Sequence, residues 1–161
     1  MDYLWSPWRF QYVRKAEGPS PCIFCENAAQ DRDEENLIVH RAERNFVILN
    51  LFPYTAGHLM VAPYHHVSTL EASRDDALTE MILLAKLAQA KLTEIYRPQG
   101  LNIGMNLGES AGAGIAGHIH MHVLPRWAGD ANFMTTVAET RVLPEDLGVT
   151  FRKLSDAFRQ G

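Results

Sequence analysis

Asp75-Asp76-Ala77-Leu78-Thr79-Glu80-Met81-Ile82-Leu83-Leu84-Ala85-Lys86-Leu87-Ala88-Gln89-Ala90-Lys91-Leu92-Thr93-Glu94-Ile95-Tyr96 is a long segment whose apolar residues recur at threes and fours. Leu78, Met81, Ile82, Ala85, Ala88, Leu92 and Ile95 fall on one face of a helix, and that face is predicted to pack on the core. Ser73 is placed to cap the N-terminus, and Asp75 and Asp76 lie where the helix dipole favours negative charge. Pro98 and Gly100 end the pattern.

On both sides of this helix the chain reads as strands. Leu37 to His40 and Phe46 to Leu51 are β-branched-rich runs separated by polar Arg41 to Asn45, which predicts a hairpin. Pro53 to Gly57 reads as a turn and His58 to Ala62 as the next strand. After the helix, Leu101 to Leu107 and Ile119 to Leu124 read as two more strands joined by a glycine-rich loop. Pro144 to Gln160 reads as a short terminal helix, and residues 26–36 as an exposed loop or short helix. Strands, one long helix and strands again predict an α+β fold with a mostly antiparallel sheet. The length, 161 residues, suits a single domain spanning 1–161 with its own core. Within it, residues 1–21 form an aromatic N-terminal extension. Trp5, Trp8, Phe10 and Tyr12 are too apolar for a free tail, so this segment is expected to pack on the body or on a partner subunit.

A net charge of −4 provides no basic stripe for duplex DNA. No apolar run approaches the ~20 residues of a membrane span, and the N-terminus does not read as a secretory signal. Two cysteines three residues apart cannot staple a secreted fold, so a cytoplasmic protein is expected. A small phosphorylated ligand stays compatible with this charge, because glycine amides and imidazoles bind anions locally.

The chemistry concentrates in His118-Ile119-His120-Met121-His122. Alternation along a strand puts the three imidazoles on one face, roughly 7 Å apart, and sends Ile119, Met121 and Val123 into the core. Three readings compete. One is a solvated polar face, and another is a three-histidine zinc site, although three residues in line rarely converge on one tetrahedral ion. The third is nucleophilic catalysis, one imidazole attacking phosphorus while its neighbours bind phosphoryl oxygens. The preceding Gly108 to Gly117 favours the last. Four glycines in ten residues let backbone N–H groups turn toward an anion. No cluster of Mg²⁺ ligands is visible in the sequence.

With these motifs the chain resembles the histidine-triad (HIT) family. His118 to Leu124 matches the pattern of histidine and apolar residue repeated three times. Asn50 to Pro63 resembles the first nucleotide-contacting strand pair of that family. Leu4 to Arg9 and Pro125 to Phe133 resemble its bacterial diadenosine polyphosphate phosphorylase branch. The resemblance implies a HIT-like sheet of about five strands with one long and one C-terminal helix, adenine nucleotide substrates and a homodimer, with no nucleic acid or membrane partner. It implies His120 as nucleophile, with His118, His122 and His58 completing the catalytic set and a covalent nucleotidyl-histidine as intermediate. It places Asn50 at ribose hydroxyls, Asn106 at phosphate, and Gly112, Ala113 and Gly114 around the remainder. Trp127 either stacks on a base or closes the dimer. Many relatives carry Gln followed by Ser or Thr just before the triad. This chain has Ala113 to Gly117 instead, so backbone amides or Ser110 would assist the leaving group. Histidine rather than glutamine at the third triad position counts against a hexose-phosphate enzyme.

The implied reaction is cleavage of a dinucleoside polyphosphate such as diadenosine tetraphosphate at the α-phosphorus, resolved by phosphate or by water. The alternatives are purine nucleoside phosphoramidate hydrolysis and a nucleotide-binding module with vestigial catalysis.

Cys22-Ile23-Phe24-Cys25 has the spacing of half a zinc site. A redox pair would want the start of a helix in a thioredoxin-like unit, which the surroundings do not suggest, and two incidental thiols are the plain alternative. The HIT resemblance implies a structural zinc held by Cys22, Cys25, His66 and His118, with His65 as the competitor of His66. His40 reads as a surface or strand-end residue.

Overall fold

The computed structural model describes residues 21–130 and 144–160. Within them lie helix α1 (Ile23–Ala28), strands β1 (Ile38–Arg41), β2 (Asn45–Leu49) and β3 (Leu59–Pro63), and helix α2 (Asp75–Tyr96). Strand β4 (Gly100–Met105), a 3-10 turn (Glu109–Ala111), strand β5 (Met121–Arg126) and helix α3 (Leu147–Arg159) follow. The five strands form one sheet in the order β1-β2-β3-β5-β4, and every neighbouring pair is antiparallel. The α+β architecture expected from the sequence is therefore present. The aromatic extension with Leu4 to Arg9, and Ala131 to Phe133 of the downstream motif, lie outside the described residues.

The central strands are buried on both faces, and alternation sorts their side chains. Val47, Leu49, Leu59, Val61, Met121 and Val123 face α2 and α3 in the larger core, together with Ile119. Phe46, Ile48, Met60 and Ala62 face the other way, where Phe24 of α1 closes a smaller core. Each buried Val, Leu, Ile, Met or Phe side chain among them contributes about 1.5–3 kcal/mol. The second face is the one that carries the chemistry.

Helix α2 spans the predicted residues, but its face differs in detail. Ala77, Met81, Leu84, Ala85, Ala88 and Leu92 are buried, whereas Ile82 is 57% and Leu83 58% exposed. A spacing rule admits Ile82 or Leu84 to the stripe, and packing on the sheet selects Leu84. The N-cap is Arg74, without a side-chain cap bond, rather than Ser73. The helix start is anchored by tertiary contacts instead. Glu80 accepts hydrogen bonds from the backbone N–H groups of Glu43 and Arg44 and from the amide of Asn45. Those bonds hold the β1–β2 hairpin against α2. At the other end Gly57 adopts φ +78°, and a Cβ there would sit 3.0 Å from Leu92 and Tyr96. Only glycine lets the β2–β3 turn approach α2 that closely. Among the described residues no helix is long and apolar enough to cross a membrane.

Candidate nucleotide site and metal centre

Strand β5 begins at Met121, later than the expected Ile119. His118, Ile119 and His120 precede it, with the Ile119 N–H donating to the Val67 carbonyl outside the β3–β5 ladder. This offset lets the three histidines enter different surroundings. The His118 ring lies 5.0 Å from His66 and 5.2 Å from Phe24. The His120 ring lies 5.0 Å from Phe24 and 4.9 Å from His122. His118, His120 and His58 are buried, while His122 is half-buried.

Hydrogen bonds fix which nitrogen of each ring carries the proton. The Tyr54 N–H donates to His58 Nδ1 at 3.1 Å, so the proton of neutral His58 sits on Nε2. That N–H donates to His122 Nδ1 at 2.9 Å, leaving the His122 proton on Nε2. Asn50 Nδ2 lies 3.4 Å from the same His58 Nδ1, consistent with an acceptor there. His120 is opposite in sense. Its Nδ1–H donates to the His118 carbonyl at 2.9 Å, so Nε2 keeps its lone pair. Burial holds His120 below the ordinary imidazole range, partly offset by that carbonyl. Burial, with His120 nearby, brings His122 down to about 4. Both rings are neutral at pH 7.

His120 and His122 line a cavity of about 330 Å³, within the size range of small-molecule sites. Asn50, Gly112, Gly114 and Ile115 line it as well, joined by Ile23, Phe24, Asn27, Glu35, Asn36 and Leu37. Gly112 closes the 3-10 turn at φ +89°, turning the loop back toward the histidines. Other predicted site residues lie elsewhere. Asn106 donates from its amide to the Gly112 carbonyl at 3.4 Å, bracing the loop from outside the cavity lining. Ser110 is exposed within the 3-10 turn, and neither it nor Ala113 lines the cavity. Trp127 meets Tyr96 edge-on, 6.5 Å away, and does not line the cavity either.

The α1 residues in the lining were not anticipated. A signal was present, because joining Cys22 and Cys25 to His118 forces the intervening Ile23 and Phe24 onto the triad. Cys22 is the N-cap residue of α1 and Cys25 lies in its first turn, so the pair starts a helix. That helix has only six residues, and its sulfurs face imidazoles. His118 Nδ1 is 3.3 Å from Cys22 Sγ and 3.5 Å from Cys25 Sγ, and His66 Nδ1 is 3.3 Å from Cys25 Sγ. The four ligand atoms lie within 4.8 Å of one another, so the group could hold a metal ion. His118 Nε2–H donates to the Pro63 carbonyl at 2.8 Å, which leaves Nδ1 as its coordinating atom. A ligating histidine ordinarily has such a backbone partner. The two-sulfur, two-nitrogen donor set fits zinc. His66, not His65, belongs to the cluster.

Comparison with known proteins gives the same family. The HIT domain model matches residues 31–129. A Mycobacterium tuberculosis protein named AP-4-A phosphorylase is 41% identical over 96% of this chain and 83% of its own length. The Bacillus subtilis protein named hit is 32% identical over 78% of this chain and 86% of its own length. Among solved structures, a Zn-bound histidine triad family protein from Mycobacterium smegmatis superposes with a TM-score of 0.70 at 27% identity, covering 89% of this chain and 96% of that one. With the sheet, the triad and these matches in agreement, the chain belongs to the histidine-triad (HIT) family.

Proposed function

We propose that this chain is a HIT enzyme that cleaves dinucleoside polyphosphates, diadenosine tetraphosphate among them, at the α-phosphorus through a nucleotidyl group on His120. The observation that carries this reading is the opposed protonation of two neighbouring rings lining one cavity. His120 offers an Nε2 lone pair, and His122 offers an Nε2–H. One suits attack on phosphorus, and the other suits donation to a phosphoryl oxygen.

The reaction follows from that pairing. His120 Nε2 forms a bond to the α-phosphorus as the bond to the bridging oxygen breaks, and ATP departs from diadenosine tetraphosphate. The modified ring becomes positively charged, and its Nδ1–H remains on the His118 carbonyl, which stabilises the charge. His122, held by His58, donates to a phosphoryl oxygen while negative charge builds there. Asn50 sits in the lining where it can meet ribose hydroxyls. Backbone amides of Gly112 and Gly114, which line the cavity, would substitute for the leaving-group side chains this chain lacks. Phosphate attack on the nucleotidyl-histidine then gives ADP, and water gives AMP. Positioning and fixed dipoles supply most of the rate. The 41% identity to a protein named AP-4-A phosphorylase, over nearly the whole chain, favours phosphate as the acceptor.

Cys22, Cys25, His66 and His118 would hold zinc. Four protein ligands leave no open position, so the ion would supply a structural crosslink rather than chemistry. The two thiols suit a reducing cytoplasm. A homodimer is supported by edge strand β4, which presents exposed Ile103, and by exposed Ile82 and Leu83 on α2.

The test is incubation of purified protein with diadenosine tetraphosphate, with and without inorganic phosphate, followed by separation of products. ADP plus ATP only with phosphate is the expected outcome. AMP plus ATP without phosphate would make it a hydrolase, and absence of any cleavage would overturn the reading.

A further inference from the structure

Asn27 occupies an unusual position in the cavity wall. It lies four residues after Ile23 on α1, and both line the cavity beside Phe24, Leu37 and Ile48. Its backbone is fixed, the carbonyl accepting from the Asn36 amide at 3.4 Å and from the Gln30 N–H at 3.3 Å. Its half-buried side chain makes no hydrogen bond among the described residues. The neighbouring polar side chains each have a partner within the fold. Asn36 donates to Asn27 and Gln30, Glu35 pairs with Arg32 at 3.0 Å, and Asn50 accepts from the Phe52 N–H. Among the described residues the Asn27 side chain therefore offers a donor and an acceptor without a partner, beside Ile23, Phe24, Leu37 and Ile48 of the wall.

We propose that Asn27 is a specificity-determining residue that reads the base, selecting adenine over 6-oxopurines. This rests on the nucleotide reading above and narrows its substrate class. An amide matches an edge with one donor and one adjacent acceptor. On its N7 edge adenine presents the 6-amino donor beside the N7 acceptor, and the pairing of Asn27 with that edge can be bidentate. Guanine and hypoxanthine place a carbonyl oxygen at position 6, beside the N7 acceptor. The Asn27 carbonyl would then oppose another oxygen, leaving buried polar groups unpaired. Sites that must hydrogen-bond one ligand reject analogues lacking the partner more strongly than apolar pockets do.

The experiment measures binding of AMP, IMP and GMP to full-length protein by calorimetry, for wild type and Asn27→Leu. Wild type is expected to bind AMP at least about tenfold more tightly than IMP or GMP. Asn27→Leu should bring the ratio near one, mainly by weakening AMP, with no change in melting temperature. Asn27→Asp keeps the shape and removes the donor. It should also weaken AMP several-fold, which keeps the test decisive if leucine disturbs α1. Equal wild-type affinities for the three nucleotides, or an AMP preference retained in both variants, would overturn the role of Asn27 alone. Wild-type protein that binds none of the three would overturn the nucleotide reading and this inference with it.

Discussion

His120 and His122 are two residues apart, yet their Nδ1 atoms are engaged in opposite senses. The His118 carbonyl accepts from the Nδ1–H of His120, whereas the Nε2–H of His58 donates a hydrogen bond to the Nδ1 of His122. His120→Ala should lower turnover of diadenosine tetraphosphate by roughly 10³-fold or more while AMP affinity changes only a few-fold. A variant retaining near wild-type rate would remove His120 from the mechanism. The acid side of the rate profile tests the state of His122. With its folded value at about 4, His122 stays neutral well below the unperturbed value of about 6.5. The rate should therefore persist below pH 6 and fall only as pH approaches the lower value. The same depression sets a stability trend. Its contribution is fully present above about 6.5, the unfolded value, and is lost as pH falls from there toward 4. A single-turnover profile that already breaks near 6.5 would show that burial does not hold the ring neutral.

At the level of elements, α1 does two things at once. Its two cysteines join His66 and His118 in the group that could hold a metal ion, and Ile23, Phe24 and Asn27 wall the cavity. Six residues cannot form a stable helix in isolation, so the packing of Phe24 on Phe46, His118 and His120 holds it in place, and zinc on the two sulfurs would add a second anchor. Cys22→Ala should therefore lower the zinc content from one ion per chain and lower the melting temperature. KM should rise several-fold with a smaller fall in kcat, because His120 is held by its own backbone while the wall of the binding cavity loosens. Metal analysis of freshly purified wild-type protein that returns no zinc would refute the structural crosslink. This coupling is also why the α1 residues were hard to read from the sequence. Ile23 and Phe24 look like filler between two cysteines until His118 is brought beside them.

At the level of the whole molecule, the central strands are buried on both faces, and among the described residues the sheet ends at β4, where Asn102, Ile103 and Gly104 are exposed. Such an edge strand, with an exposed isoleucine, would serve the proposed homodimer as its pairing surface. Sedimentation should give about twice the 18.1 kDa chain mass, and Ile103→Lys should shift the protein toward the monomer. A wild-type protein that sediments as a monomer at micromolar concentration would rule out the homodimer.

The sequence by itself determined whatever depends on periodicity and residue chemistry. The switch from a two-residue to a 3.6-residue period located α2 between two sets of strands. The alternation through Ile119, Met121 and Val123 was enough to send those three residues to the core. The spacing of Cys22 and Cys25 marked half of a metal site, and the HIT resemblance supplied His66 and His118. Tertiary structure decided what periodicity leaves degenerate. Packing on the sheet chose Leu84 over Ile82 for the core, and contacts through Glu80 anchored a helix start that lacks a side-chain cap. The late start of β5 sent His118 toward the cysteines and His120 toward the cavity. The Pro63 and His118 carbonyls, with the Tyr54 N–H and His58, then fixed the proton on each ring. A tautomer depends on which groups face a ring across the fold, and sequence spacing carries no information about that.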